Sequence, residues 1–102
     1  MITADEVHTY AVSLPGTKRK GTERQPAWYV HDRLVARLVD PGTLVVRVPI
    51  EEREPLIDAH PESFGVPPRF EAHHKVETYL ERANPDAVRE AIRLAWEFQL
   101  SW

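Results

Sequence analysis

His73 and His74 stand side by side in the stretch RFEAHHKVETYL, and histidine is the commonest metal ligand among side chains. A metal site needs three or four ligands in fixed geometry. If the pair begins a strand, its two rings point to opposite faces and cannot share an ion; if it forms a turn, they could. No other histidine lies at a helical i+4 or strand i+2 spacing from either one. The spacing therefore predicts polar turn or strand-edge residues and no structural ion. His8, His31 and His60 are scattered through helix, turn and loop settings.

The other sources of chemistry are equally bare. The chain has no cysteine, which excludes disulfides, thiolate zinc sites, iron–sulfur clusters and a cysteine nucleophile. It contains no glycine-rich phosphate loop, no GxSxG and no HExxH, and its four glycines are accounted for by turns or a helix stop. Ser13, Ser63 and Ser101 have no His and Asp partners that sequence can assign. Glu51, Glu52, Glu54, Asp58 and Glu62 form an acidic cluster, which near a helix start serves the dipole and solubility. The expectation is a non-enzyme with no catalytic residues, no cofactor and no metal.

What remains is charge. The net charge is −3, yet residues 1 to 37 carry six Lys/Arg against four Asp/Glu, while residues 38 to 102 carry seven against twelve. That balance argues against attraction of the whole surface to nucleic acid, because phosphate affinity needs a concentrated positive field. It leaves room for a local basic patch.

The elements that must position such a patch can be read in order. Thr3 and Glu6 have the spacing of a capping box, Ile2 and Val7 that of a hydrophobic staple. Val7, Tyr10, Ala11 and Leu14 then form one stripe of a helix over residues 3 to 14, which LPG stops. TKRKGTERQP (17 to 26) is polar and without periodicity, the pattern of an exposed loop. WYV (28 to 30), RLVARLV (33 to 39) and TLVVRV (43 to 48) read as antiparallel strands separated by HD and DPG turns.

Alternation along those strands assigns faces. Leu34, Ala36, Leu38, Leu44, Val46 and Val48 make an apolar face for helices to cover, and Arg33, Val35, Arg37, Val45 and Arg47 take the other. PIEEREPLIDAHPESF reads as a short acidic helix anchored by Leu56, Ile57 and Phe64, with Pro55 in its first turn. GVPP is an extended linker. KVETYL adds a strand with Val76, Thr78 and Leu80 inward and Lys75, Glu77 and Tyr79 outward. The last helix, over residues 85 to 99, opens at Asn84, Pro85 and Asp86 and carries an apolar stripe of Val88, Ala91, Ile92, Ala95, Phe98 and Trp102.

At 102 residues with 42% hydrophobic and 28% charged, the chain has the make-up of one domain, residues 1 to 102. No apolar run approaches the roughly 20 residues of a membrane helix, and MITADEVHTY lacks a secretory layout. The expectation is a cytoplasmic protein without a membrane partner, a monomer or weak dimer.

The helix ending in SLPGT, the PAWYV strand, RLVARLVDPGTLVVRVPIEER, HPESFGVPPRF and the closing LAWEFQ together resemble the MmcQ/YjbR family across nearly the whole chain. The resemblance implies an α+β fold similar to that of the frataxin homologue CyaY, a two-layer sandwich of an antiparallel sheet with helices on one face. It also implies a family generally labelled DNA-binding, of unknown cellular role. The candidate nucleic-acid contacts are Lys18, Arg19, Lys20 and Arg24 in the 18 to 24 loop, with Arg33, Arg37, Arg47 and Lys75 beside Tyr29 and Tyr79 on the helix-free face.

Basic groups interleaved with aromatics suit a nucleic-acid platform; the same arginines paired with Glu77 would be a solvated sheet face. The alternative function is a protein-interaction or small acidic-ligand module. A contiguous positive stripe would favour nucleic acid, and a closed pocket lined by Trp28, Arg47 and Tyr79 would favour the alternative. Cation binding on the acidic helix, by analogy with frataxin-like folds, rests on fold alone.

Overall fold

A computed structural model of the protein describes residues 1–101; the Trp102 end of the expected apolar stripe lies outside the described residues. The capping box forms as expected. Thr3 Oγ1 accepts from the Glu6 N–H and Glu6 Oε1 from the Thr3 N–H, opening α1 (Ala4–Ser13) with Ile2 and Val7 both buried.

The next segment departs from expectation. Lys18–Gly21 is a strand, β1, paired antiparallel to β2 (Pro26–Val30). All four of its residues are exposed, so it has no burial periodicity to read. A basic, solvated strand is what a sheet edge calls for. Gly21 has φ +85°, and a Cβ there would lie 2.5 Å from the Gln25 carbonyl oxygen. The β1–β2 turn therefore requires glycine.

β3 (Arg33–Asp40) and β4 (Thr43–Val46) follow as hairpins. Then come α2 (Ile50–Ala59), β5 (Phe64–Gly65), a 3₁₀ turn (Pro68–Phe70), β6 (Val76–Tyr79) and α3 (Pro85–Leu100). The sheet has six antiparallel strands in the order β1-β2-β3-β4-β6-β5. Three helices accompany it, and α1 and α3 pack against each other over its apolar face. Asn84 Oδ1 accepts from the Asp86 and Ala87 N–H groups to start α3. Trp96 Nε1–H donates to the Pro15 carbonyl, locking the end of α1 to α3.

Three expectations need correction. Pro55 lies in the second turn of α2, not the first; the Glu51 carbonyl it leaves without a donor belongs to an exposed residue, so water can serve it. Phe64–Gly65 is an edge strand on β6, too short for alternation to reveal. In β3, Trp28 pairs with Ala36 but Tyr29 pairs with Leu34, leaving Val35 as a bulge. The bulge moves Val35 into the core in place of Leu34 and inverts the face of every residue before it.

The two-residue β2–β3 turn puts both His31 (φ 52°) and Asp32 (φ 60°) in the left-handed region. A turn of this kind favours Asn-Gly. His31→Asn with Asp32→Gly is expected to raise stability by about 1 kcal/mol in denaturant titration. The Lys20–Asp32 ion pair lost with it is exposed and worth little.

Candidate nucleic-acid interface

The helix-free face is built by register. Lys18 pairs with Tyr29, Tyr29 with Leu34, Arg37 with Val45 and Val45 with Glu77. Residues opposite one another in a ladder share a face, so Lys18, Tyr29, Arg37, Val45 and Glu77 lie together. Lys20, two residues from Lys18, joins them. Arg47 and Lys75 lie just outside β4 and β6, next to the last pair, Val46–Val76; Val46, Val48 and Val76 are buried, and the half-buried Arg47 and Lys75 beside them are assigned to the opposite face. Arg47 and Arg37 are diagonal neighbours across β3 and β4.

These cations differ in what they touch. Arg37 Nη2 donates to the Tyr29 hydroxyl at 2.6 Å. Lys20 sits 5.2 Å from the centre of the Tyr29 ring and donates to Asp32 at 2.9 Å. That bond, with the attraction behind it, pushes the Lys20 amine up and the Asp32 carboxyl down from their ordinary values. Lys75 lies over Phe70 at 5.2 Å and Arg69 over the same ring at 4.7 Å. Among the described residues no carboxylate lies within ion-pair distance of Lys18, Arg37, Arg47 or Lys75. Glu77, the expected neutraliser of the face, is engaged by Arg69 at 3.2 Å and by the Tyr79 hydroxyl.

The far corner is a closed polar cluster. Tyr79 lies against Gly65, where a Cβ would fall 2.3 Å from its hydroxyl, and Arg82 covers the ring at 4.5 Å. Burial, then the charge of Glu77, raises the Tyr79 hydroxyl above the usual tyrosine range, so the phenol remains a donor throughout neutral pH.

The structure divides the eight expected contact residues. Lys18, Lys20, Arg37, Arg47 and Lys75 share the helix-free face. Arg19 pairs with Trp28 and so projects to the other side of the edge. Arg24 sits in the β1–β2 turn at the opposite end from Lys18. Lys18 to Lys20 belong to a strand, not a loop. Arg33 is turned away by the β3 bulge: it pairs with core residue Val30, and its Nη1 donates to the Gln99 carbonyl at 2.9 Å, near the end of α3. The pocket of Trp28, Arg47 and Tyr79 does not form, because Trp28 is buried on the helix side with its Nε1–H bonded to His8 Nδ1.

The histidine pair has a structural explanation. His74 Nδ1 accepts from the Ile50 N–H at 3.0 Å, while the residue before α2, Pro49, supplies no side-chain cap. His74 thus caps α2 from 24 residues away and packs its ring on Phe98 at 5.1 Å. His73 is exposed and bonds through its backbone, its N–H donating to the Phe70 carbonyl and its carbonyl accepting from Arg53 and the Lys75 N–H. His74→Ala is expected to cost about 1–2 kcal/mol and His73→Ala less than about 0.5 kcal/mol, measured by chemical denaturation.

Sequence reading missed Arg53, which is 6% exposed. Its Nη1 donates to the carbonyls of Phe70, His73 and Lys75, and its Nη2 to that of Glu71. It fixes the segment carrying Phe70 and Lys75 to α2. An arginine in a run of glutamates gives no signal of burial. Phe70 and Arg69 were also missed; the available signal was an aromatic beside a cation at the end of GVPPRF.

No family model matches the chain, and no curated protein does. Among solved structures, the fold matches the crystal structure of Deinococcus radiodurans protein DR2400, a DUF419 domain, with a TM-score of 0.76 and 21% identity. The match spans 96% of this chain and 78% of that one. The α+β architecture of an open antiparallel sheet with three helices is therefore shared with a DUF419 protein. No helix among the described residues is long and apolar enough to cross a membrane.

Proposed function

We propose that the chain is an MmcQ/YjbR-like, non-enzymatic domain that binds nucleic acid weakly through the helix-free sheet face. The likeness to a DUF419 fold, a YjbR-like family, supports the family assignment. The observation that carries the binding role is the set Lys18, Arg37, Arg47 and Lys75, spread across the sheet around Tyr29 with no carboxylate partner among the described residues. Cations without an ion-paired carboxylate beside aromatic rings suit a polyanion. The arginines of α3, by contrast, are satisfied by Asp86, Glu90 and Glu97 on their own helix.

Fluorescence anisotropy with a labelled oligonucleotide at about 20 mM salt tests the reading, because phosphate contacts are strongest there. Binding is expected, weakened at least about tenfold by Arg37→Ala with Arg47→Ala and unchanged by Arg89→Ala with Arg93→Ala. A parent protein that does not bind under these conditions refutes it.

A further inference from the structure

We infer that the polyanion is single-stranded, with its backbone crossing the strands from β1 toward β6 and its bases stacking on Tyr29 and Phe70. The inference rests on the reading just given and specifies its ligand class. Lys18, Arg37, Arg47 and Lys75 step across the sheet in its spatial order β1-β2-β3-β4-β6. Four strand intervals span about 19 Å, long enough for several successive phosphates.

The shape of the face argues against a duplex. The molecule measures 30 × 29 × 24 Å, and a face of that breadth cannot enter a major groove about 12 Å wide. A duplex would touch the cations with its outer phosphates only and would offer the rings no base. A single strand presents both at once, and base–aromatic stacking is indifferent to sequence.

The rings are placed for it. Tyr29 lies among Lys18, Lys20 and Arg37, and Phe70 between Arg69 and Lys75, so each ring has cations at hand for the flanking phosphates. Both are only half-buried. Lys20 hovers over Tyr29, but its chain is exposed and tethered to Asp32, so an arriving base can displace it without leaving a charge stranded. Tyr79 is not part of the platform, because the Gly65 backbone lies against its ring and its hydroxyl is bonded to Glu77, whereas the cations over Phe70 are side chains that an arriving base can displace.

The test compares a labelled single strand of about eight nucleotides with the duplex of the same sequence at low salt. The single strand is expected to bind at least about tenfold tighter. Tyr29→Leu and Phe70→Leu, which keep apolar bulk without a ring, should each weaken it roughly fivefold or more, and Tyr29→Phe, which keeps the ring, should weaken it less than Tyr29→Leu. Equal or tighter duplex binding, or leucine variants at parent affinity, overturns the inference while leaving the nucleic-acid role standing. Binding of neither form removes that role and the inference together.

Discussion

Arg53→Met is expected to lower the melting temperature by roughly 12–24 °C, the shift a loss of about 3 kcal/mol produces in a domain of this size. One guanidinium serves four carbonyls, those of Phe70, Glu71, His73 and Lys75, in a site only 6% exposed. Methionine matches the aliphatic length but donates nothing, so part-buried acceptors lose a charged donor, and each such bond contributes about 1.5–3 kcal/mol. The sum overstates the loss because the segment can relax toward water. Arg53→Lys should recover less than half of the difference, since an ammonium cannot reproduce the planar fork. A methionine variant melting within a few degrees of the parent would show that the 70–75 segment holds itself.

The second large effect is electrostatic. Eight cations were candidates from the sequence, but among the described residues only Lys18, Arg37, Arg47 and Lys75 share the helix-free face without a carboxylate in ion-pair distance. Four phosphate contacts to a single strand give a slope of log affinity against log salt of roughly −3, at about −0.7 per contact. Arg37→Ala with Arg47→Ala should flatten it to about −1.5. Both side chains are only half-buried and make no ion pair among the described residues, so the double variant should stay folded. A slope near −5 would mean about seven contacts, so that Arg19, Arg24 and Arg33 also reach the backbone, contrary to where the register puts them.

Much of this fold was legible because its local signals agree with its packing. The Thr3–Glu6 box, the Asn84 cap and the inward run of Val76, Thr78 and Leu80 were all read from residue type and spacing, and all form. The failures come where no local pattern records the packing. β1 is an edge strand exposed on all four residues, and β5 has two residues, so neither carries a burial period. The β3 bulge at Val35 exchanged the faces of Arg33 and Leu34 through a single unpaired residue, which alternation cannot foresee. The site suffered accordingly. Arg37, Arg47 and Lys75 lie after the bulge and kept their assigned face, and Arg33 lies before it and lost it. His74 and Arg53 act over 24 and about 20 residues of sequence on backbone groups, contacts without a local signature.

The central claim is that the helix-free face, and not the helical side, is the binding surface. Backbone and side-chain NMR shifts followed during titration with a short single-stranded oligonucleotide at low salt test it most directly. The perturbed residues should be Lys18, Tyr29, Arg37, Arg47, Phe70 and Lys75, with α1 and α3 silent. Shifts centred on Arg89 and Arg93 of α3, or a spectrum unchanged by the oligonucleotide, would contradict it.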